Sequence, residues 1–481
     1  MDEYPLAADC YDEAFDSTRA PRAHYGPVIE ALRQRDLEEL RERVQADCDA
    51  RGVSFGDGGP LKIDPVPRVL GGEEWRSLEA GILQRARALN AFVVDVYGEQ
   101  RIFEDGALPR HLLDSLSGYE PRMRGLIDPA VPPAAVVGLD LVRDASGEML
   151  VLEDNDRMPS GAAYAFALRE VVPEALGADV ELLSIGDYAA ALGAALRAAA
   201  PDGDCGVDPA IGGSTPQSVK PEGANCRIAV LSSGEESSAW FEHRRLAETL
   251  GVPAVTPAEL ATEGGVLYMR REGGRQPIDV LYRRLDEERL SDDDGRPTEI
   301  GELLLPALES GRLRCLNAFG TGVADDKLAH AYVERMIRFY FDEEPLLRSA
   351  PSYDLCDEGA RDEALGRLDE LTLKPRGGFG GKGVTVMPTA SAEQRREARD
   401  LVRRHPERFV AQETISLSTH PTVCEGRLEP RRVDLRPFSV SGAEGAAAMP
   451  GGLTRFAAGA GDTIVNSSRG GGCKDTWVTA T

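Results

Sequence analysis

The stretch 371–386, LTLKPRGGFGGKGVTV, places a lysine at the end of an apolar strand and a glycine-rich segment directly after it. The glycines of this segment are Gly377, Gly378, Gly380, Gly381 and Gly383. Glycine adopts positive φ without strain, so the backbone N–H groups of such a loop can converge on an anion. Lys374 and Lys382 add positive charge. The stretch therefore predicts a phosphate-binding loop between two strands, and a hairpin that only turns the chain is the open alternative.

Two common nucleotide-binding motifs do not fit this stretch. A P-loop would need GxxxxGK followed by Ser or Thr, which is absent. A dinucleotide-binding GxGxxG motif would open a helix, whereas β-type residues resume here at Val384. The pattern favours strand, glycine loop and strand.

Lysine is scarce in this chain, and its positions are informative. Only six of the 55 Lys and Arg residues are lysines, and four of them lie in the last third of the sequence: Lys327, Lys374, Lys382 and Lys474. A lysine ammonium is compact and flexible and binds phosphate as a point charge. The distribution is consistent with a polyphosphate site built by the C-terminal third.

Composition excludes several classes of partner. The chain has 481 residues, 42% hydrophobic content and a formal net charge of −26, which argues against nucleic acid and against an anionic membrane surface. No apolar run approaches the roughly 20 residues of a membrane helix, and the acidic N-terminus lacks the features of a signal peptide. The eight cysteines form no CxxC pair, so we expect reduced thiols in a cytoplasmic protein. The acidic, lysine-poor surface would suit a high-salt cytoplasm or an ordinary soluble protein equally.

The chain divides into five predicted regions. Helical periodicity dominates the first, notably over 26–50 and 73–98, and two strands at 134–143 and 149–155 begin the second. A Gly/Pro-rich stretch predicts a flexible insertion, and alternating strands and helices after it predict a Rossmann-like lobe. A helix at 324–342 is predicted to precede the glycine loop. The regions are 1–133 (N-terminal helical layer), 134–200 (second segment), 201–225 (insertion), 226–320 (Rossmann-like lobe) and 321–481 (C-terminal lobes).

Asp140, Glu153 and Asn155 form a candidate magnesium site. Residues two apart on a strand share a face, so Glu153 and Asn155 point the same way. A turn closing between Arg143 and Glu148 would place Asp140 opposite Val151, on that same face. Carboxylate and amide oxygens suit Mg²⁺, which completes its shell with phosphate and water. A polar hairpin face without a metal is the open alternative.

Four cations are candidates for contact with a polyphosphate. Lys327 opens a predicted helix, Lys374 ends the strand before the glycine loop, Arg436 lies in VDLRPF, and Lys474 follows a second glycine-rich segment. Surface ion pairs would explain any one of them. Four cations with two glycine loops favour one nucleotide site.

The candidate substrate residues lie mainly in the Rossmann-like lobe. His243 follows Glu242 on a predicted helix, and either a buried structural histidine or a substrate contact fits its position. Arg283 and Arg284 face opposite ways on their strand, so at most one should reach a site. Glu242, His243 and Arg284 are candidate substrate contacts. His420 is a further candidate; it lies in SLSTHPT, and no other histidine stands at a spacing that would suggest a shared metal.

Taken together, LKPRGGFGGKGV, FVAQE, VDLRPF and LEDN resemble the ATP-grasp superfamily. In most ATP-grasp enzymes the magnesium ligands follow the glycine loop, whereas here Glu153 and Asn155 precede it by more than two hundred residues. The order resembles the circularly permuted ATP-grasp proteins grouped with glutathionylspermidine synthase-like ligases. Further motifs cover most of residues 65–478: LNAFGTGVADDK, YRRLDEE, STHPT, DLRPF, PGGLTR and NSSRGGGCKDTW.

The resemblance implies a circularly permuted α/β (α+β) ATP-grasp fold that uses ATP and Mg²⁺. It implies that Lys327 and Lys374 contact phosphates, that the region of Gln412 and Glu413 meets adenine, and that Arg436 faces the γ-phosphate. Glutathionylspermidine synthases often carry an arginine where this chain has Gly138, and relatives often read EDNLR where this chain reads EDNDR. The first departure predicts a different acyl substrate, and the second adds Asp156 beside the metal strand.

The expected activity is formation of an amide from a small-molecule or peptide carboxylate and an amine, through an acyl phosphate, with Lys374 and Arg436 as the catalytic residues. The alternative is a catalytically silent nucleotide-binding scaffold or sensor. The resemblance also implies an α-helical partner protein of the alpha-E type, as in family relatives.

Overall fold

The computed structural model describes residues 4–7, 10–56, 59–201, 227–285, 289–377, 383–443, 445–463, 465 and 470–480. All but the first residue of the predicted insertion 201–225 lies outside the described residues. The same holds for Gly378, Gly380, Gly381 and Lys382 of the predicted phosphate loop.

Among the described residues, the largest sheet is mixed and has eleven strands. Its main path runs in the order Arg348–Ser349, Met149–Asn155, Val136–Arg143, Arg427–Arg436, Leu453–Phe456, Gly472–Val478 and Lys62–Ile63. Further strands pair beside this path: Thr419–Cys424, Phe438–Gly442, Gly445–Ala448 and Arg68–Leu70. The sheet therefore joins the two ends of the chain, since Lys62–Ile63 and Arg68–Leu70 pair with Gly472–Val478.

The hairpin Val136–Arg143 and Met149–Asn155 lies in this sheet, as the sequence predicts. Asp144 forms its turn, because its Oδ1 accepts hydrogen bonds from the N–H groups of Ser146 and Glu148 at 2.8 and 3.0 Å. Gly147 follows at φ +92°, which an L side chain would resist. Apolar residues of the hairpin pack on both sides of the sheet, Leu139 and Leu141 in one core and Val136 in another.

A separate parallel sheet confirms the predicted Rossmann-like lobe. Its strands lie in the order Arg314–Leu316, Val280–Arg284, Ile228–Ser232 and Ala254–Val255. Trp240–Leu250 forms the crossover helix after Ile228–Ser232 and ends at Gly251, which takes the left-handed conformation. A three-stranded sheet extends this lobe through Leu260–Glu263, Val266–Arg271 and Gly274–Ile278.

A four-stranded antiparallel sheet carries the strand that ends in Lys374. Its strands lie in the order Ser352–Asp354, Phe409–Glu413, Leu371–Pro375 and Thr385–Val386. Helices Glu358–Gly366 and Ala392–Arg404 pack on it, and the resulting small lobe has its own apolar core with Leu371, Leu373 and Ala411. The pairing of Leu371–Pro375 with Thr385–Val386 agrees with the predicted strand, loop and strand.

The other α-helices differ in places from the sequence prediction. The predicted helix 26–50 is two helices, because Asp36 accepts hydrogen bonds from Glu38 and Glu39 N–H and caps a new helix at Leu37. The predicted helix 324–342 also consists of two helices. Asp326 caps the first, Lys327–His330, and the second follows at Val333–Phe341. The described helices are Gly26–Arg33, Leu37–Ala50, Gly72–Tyr97, Arg101–Glu104, Arg110–Asp114, Ala162–Leu176, Gly186–Ala198, Trp240–Leu250, Glu299–Glu309, Lys327–His330, Val333–Phe341, Glu358–Gly366 and Ala392–Arg404.

The N-terminal region combines its helices with short strands. It contributes the strands Lys62–Ile63 and Arg68–Leu70 to the largest sheet, and Ser54–Phe55 pairs with Gly59–Pro60. Over the described ranges, no helix has both the length and the apolar content needed to cross a bilayer. The described cysteines are all free thiols: Cys10, Cys48, Cys315, Cys356, Cys424 and Cys473.

Candidate functional site

A cleft of about 1050 Å³ lies where the largest sheet, the small lobe and the parallel-sheet lobe meet. Its charged lining contrasts with the net charge of −26 for the whole chain. The described lining residues include seven basic side chains, Arg157, Arg284, Lys327, Lys374, Arg432, Arg436 and Arg455, and five acidic ones, Asp140, Glu153, Asp325, Glu413 and Asp434. Among the described residues that line this cleft, cations therefore outnumber anions, although the chain as a whole is acidic.

The predicted metal ligands share one wall of this cleft because of a β-bulge. Arg143 pairs with Met149 and Leu141 with Val151, but Asp140 then pairs with Glu153, so Leu152 is an extra residue in its strand. The predicted pairing of Asp140 with Val151 is thus wrong. A regular ladder from the observed turn would place Leu152 opposite Asp140 and turn Glu153 to the other face. The bulge restores the shared face that the sequence predicts.

Asn155 belongs to the same face. Its Nδ2 donates to Asp140 Oδ1 at 3.4 Å, and Asp140, Glu153 and Asn155 all line the cleft. On the opposite face, Asp154 accepts two hydrogen bonds from Arg85 at 2.6 and 2.8 Å and is sealed from solvent. This buried ion pair fixes the strand and leaves Glu153 and Asn155 directed at the cleft.

Two arginines hold the Asp140 carboxylate. Arg436 contacts it through Nε and Nη2 at 2.6 and 2.9 Å, and Arg455 Nη2 lies 2.8 Å from Oδ2. Burial opposes ionisation, but these guanidinium groups outweigh it and hold the pKa of Asp140 well below its ordinary value. Asp434 completes the group by accepting from Arg455 Nε and Nη2 at 2.9 and 2.6 Å. Sequence analysis missed Arg455, although it ends the quoted motif PGGLTR and its strand pairs with the strand of Arg436.

Glu153 is paired with a predicted phosphate ligand. Lys327 Nζ lies 2.9 Å from Glu153 Oε1. Asp326, just before Lys327, fixes the start of the short helix by accepting from Leu328 N–H at 2.8 Å. The two carboxylates of the candidate metal site are thus each balanced by cations from distant parts of the sequence.

Lys374 differs from these cations because it has no partner among the residues that the structure describes. Its side chain lines the cleft and the residue is 8% exposed. Within the part of the chain that the structure describes, its ammonium forms no hydrogen bond or ion pair. Burial, assisted by nearby Lys327 and opposed by Glu153 and Asp140, lowers the pKa of Lys374 to about 8. A buried cation that faces a cleft without a counter-ion is suited to bind an anionic ligand.

Arg376 anchors the strand that carries Lys374, a role that sequence analysis did not assign. Its guanidinium contacts Asp326 at 2.7 and 3.1 Å and donates to the side chain and carbonyl of Ser115 at 2.7 and 3.0 Å. The residue is 5% exposed. Because Asp326 also caps the helix of Lys327, one buried network positions both lysines. Gly377 follows Arg376 but is not among the residues that line the described cleft.

The predicted adenine region forms another part of the cleft. Gln412 Nε2 donates to Ser352 Oγ at 3.1 Å, and Glu413 accepts from Tyr353 OH at 2.7 Å and from Arg367 at 2.9 and 3.1 Å. Apolar side chains lie beside them on the wall: Leu152, Val386, Ile415 and Leu417. Polar groups at the edge of an apolar surface suit a planar base.

Arg284 and His243 line the end of the cleft formed by the Rossmann-like lobe. Arg284 Nη2 contacts Glu242 at 3.2 Å, and Glu242 accepts from Gly161 N–H at 2.7 Å. His243 Nδ1 lies 2.7 Å from Ser232 Oγ, and burial, together with nearby Arg284, lowers the pKa of His243 to about 2. His243 is therefore neutral and adds no charge to the cleft. Glu242 itself is not a cleft-lining residue.

As expected for strand neighbours, Arg283 faces away from Arg284. It donates to the carbonyls of Asn317 and Ala318 at 3.1 and 3.3 Å. Phe319 lies beneath its guanidinium, 4.6 Å from the ring centre. Arg283 thus has a structural role within the protein interior.

Two predicted site residues lie elsewhere, and both predictions are corrected. Lys474 is fully buried and bonded to Asp64 and to the carbonyl of Pro421, the latter at 3.1 Å. His420 is also fully buried, with Nε2 3.0 Å from Tyr25 OH and Nδ1 2.9 Å from the Pro421 carbonyl oxygen. Neither lines the cleft. Their partners, Tyr25 for His420 and Asp64 for Lys474, are distant in the sequence. The local motifs could therefore not indicate these contacts.

Comparison with known proteins gives a consistent result. The family described as circularly permuted ATP-grasp type 2 matches residues 67–457. A Frankia alni protein named "Putative glutamate--cysteine ligase 2-3" is 40% identical over 97% of this chain and 54% of its own length. An uncharacterised Synechocystis protein is 38% identical over 97% of this chain and 96% of its own, and one from Mycobacterium tuberculosis is 37% identical over 100% and 85%. The chain thus spans about half the length of the Frankia relative and almost all of the Synechocystis one.

Proposed function

Because the chain belongs to the circularly permuted ATP-grasp type 2 family, we propose that it is an ATP-dependent carboxylate–amine ligase acting through an acyl phosphate. The observation that carries the proposal is the ammonium of Lys374, which has no partner among the described residues and lines the same cleft as Asp140, Glu153 and Asn155. These parts come from segments more than two hundred residues apart, and a nucleotide with magnesium explains their convergence.

The proposed chemistry has two steps. An oxygen of the substrate carboxylate attacks the γ-phosphorus of ATP, the bond to the β-phosphate oxygen breaks, and ADP leaves. The amine nitrogen then attacks the acyl carbon, the bond to the phosphate oxygen breaks, and the amine loses a proton as the amide forms. Lys374 and Arg436 supply positive charge beside the transferred phosphoryl group, while Lys327 contacts the phosphates.

The donor set fits Mg²⁺. Asp140, Glu153 and Asn155 offer hard oxygen ligands on one wall of the cleft. When bound there, Mg²⁺ would neutralise phosphate charge and orient the γ-phosphate. In the protein alone, Arg436 and Lys327 balance the two carboxylates. We propose that both cations turn to the phosphates when nucleotide and metal enter together.

The neighbourhood of Asp140 supports an acyl substrate other than that of glutathionylspermidine synthases. A Cβ atom at Gly138 would lie 2.6 Å from Pro159 Cβ, so no side chain fits there without a backbone shift. An arginine two residues before the metal aspartate could not be accommodated. The carboxylate substrate is therefore bound by other groups, for which Arg284 at the far end of the cleft is our candidate.

The name of the Frankia relative concerns glutamate and cysteine, and we propose these two amino acids as the first substrates to test. The membership in the glutathionylspermidine synthase-like branch and the α-helical partner protein stay predictions.

The deciding experiment measures ADP release with ATP and Mg²⁺ across pools of carboxylic acids and amines, followed by mass spectrometry of the products. We expect ADP only when both an acid and an amine are present, with a product mass equal to their sum less one water. AMP and pyrophosphate would contradict the acyl phosphate. Tight ATP binding without stimulated turnover would instead favour the nucleotide-binding scaffold or sensor.

A further inference from the structure

A cluster of metal-ligating side chains lies outside the cleft, where the small lobe meets the N-terminal region. It consists of His111 from the helix Arg110–Asp114, Asp354 at the end of the strand Ser352–Asp354, and Cys356 two residues later. The ligand atoms, one from each side chain, all lie within 4.8 Å of one another. We propose that His111, Asp354 and Cys356 bind a divalent transition metal of the zinc type, with a solvent molecule as the fourth ligand.

The donor types select the metal. Imidazole nitrogen, thiolate sulfur and carboxylate oxygen are the ligands of Zn²⁺, whereas Mg²⁺ and Ca²⁺ prefer oxygen alone. One thiolate and one carboxylate together balance a charge of +2. Three protein ligands with one open position are a common zinc arrangement.

The geometry is close to what zinc needs. His111 Nε2 lies 2.6 Å from Asp354 Oδ2. Ligand atoms around a tetrahedral zinc lie roughly 3.3–3.8 Å apart, given bonds of about 2.0–2.3 Å. His111 Nε2 and Asp354 Oδ2 must therefore move apart by about 1 Å or less when the ion replaces the proton that they share. His111 is 39% exposed and Cys356 is half-buried, so an ion can enter from solvent.

Hydrogen bonds that a ligand carboxylate requires are already present. Tyr332 OH donates to Asp354 Oδ2 at 2.6 Å, and the Cys356 N–H donates to Oδ1 at 2.9 Å. Such donors orient a ligating carboxylate, and losing one typically costs a metal site roughly 10–100-fold in affinity. A coordinating cysteine binds as the thiolate, so metal binding at Cys356 would release the thiol proton.

The site would join parts of the chain that are far apart in sequence. His111 lies in the N-terminal region, Asp354 and Cys356 begin the small lobe, and Tyr332 precedes the helix Val333–Phe341. The metal would hold the base of the lobe that carries Lys374. This inference stands independently of the proposed ligase activity.

The test titrates Co²⁺, a spectroscopic substitute for Zn²⁺, into chelator-treated protein with excess Mg²⁺ present to occupy any all-oxygen site. We expect one equivalent to give a thiolate-to-cobalt charge-transfer band and the visible bands of tetrahedral cobalt, and Zn²⁺ to remove them by competition. Cys356→Ser should abolish the charge-transfer band, whereas Cys424→Ser, a half-buried thiol outside the cluster, should keep it.

Tyr332→Phe provides the sharper variant, because it removes no ligand. We expect its Co²⁺ affinity to fall about 10–100-fold while the charge-transfer band survives at saturation. Binding by the wild type without a charge-transfer band, or a band that Cys356→Ser leaves intact, would overturn the proposal. So would an unchanged affinity in both His111→Ala and Tyr332→Phe, each checked for an unchanged circular dichroism spectrum.

Discussion

Lys374 and Lys474 are both buried ammonium groups on strands, but their surroundings differ. Lys474 is sealed within the protein, bonded to Asp64 and to the Pro421 carbonyl, and Asp64 also accepts from the N–H groups of Val66 and Val423 at 3.0 and 2.7 Å. Lys374 faces the cleft and has no partner among the described residues. Burial alone therefore does not distinguish a structural charge from a ligand-binding one. A buried charge whose partners lie within the protein is structural, whereas one without such partners is available to a ligand.

The largest expected effect comes from Lys474→Met. This change leaves the Asp64 carboxylate buried without its counter-ion, so we expect the free energy of unfolding to fall by about 3–5 kcal/mol. Denaturant unfolding measures the change. Lys62→Met is the matched control, because Lys62 is exposed and its ammonium donates to the Gly470 carbonyl at 3.0 Å, so the variant should lose no more than about 0.5 kcal/mol. Equal stability of the two variants would break the comparison.

The same substitution at Lys374 should have the opposite pattern. Lys374→Met removes a buried charge that forms no ion pair with the described residues, so stability should be unchanged or higher, while ADP formation falls by about 10²–10³-fold. Nucleotide affinity, ADP release and denaturant unfolding should be measured on one preparation. A folded Lys374→Met protein with wild-type turnover would return Lys374 to a structural role.

Glu153→Gln sharpens the comparison within the cleft. The amide keeps the size of the side chain but removes one charge from the proposed metal wall, so we expect turnover to fall by about a hundredfold, with partial rescue by excess Mg²⁺. The control is Glu148→Gln, because the partly exposed Glu148 pairs with Arg348 and is not among the residues that line the cleft. If Glu153→Gln were as silent as the control, Glu153 would be an ordinary ion-pair partner of Lys327.

The smallest effect concerns pH. Burial lowers the pKa of Lys374 to about 8, so the ammonium loses its charge as the pH rises from 7 to 9. The dissociation constant for ATP should be flat below pH 8 and rise above it, approaching about tenfold per pH unit. Isothermal titration calorimetry at a series of pH values measures this rise in the dissociation constant. Lys374→Arg keeps its charge throughout this range, so its dissociation constant should not rise above pH 8. If the rise persists in Lys374→Arg, another group causes it.

Much of the fold follows from local patterns in the sequence. The hairpin carrying Asp140 and Glu153, the parallel sheet and the strand ending in Lys374 all appear where apolar alternation and turn residues predict them. The predicted helix 324–342 breaks between His330 and Val333, and the predicted helix 26–50 breaks at Asp36, whose side chain caps a new helix. Periodicity continues across such a cap, so it does not reveal the break.

The candidate site was predictable only in part, for a physical reason. The roles of the motif residues came from their order along the chain, but the partner of each charge depends on contacts between distant segments. Lys474 and His420 stand in motifs like those of Lys374 and Arg436, yet Asp64 and Tyr25 enclose them. Arg376 and Arg455 act through Asp326 and Asp140, pairings that no local spacing encodes.

The extra residue Leu152 also decides how this strand would respond to systematic mutation. Before it, even-numbered positions face the cleft side, as Leu150 does opposite cleft-lining Val142. After it, odd-numbered Glu153 and Asn155 do so. A saturation mutagenesis map should therefore show the parity of the sensitive positions reverse at residue 152. A regular ladder that kept Leu152 opposite Asp140 would instead turn the carboxylate and the amide into the core, so the bulge is itself part of the site.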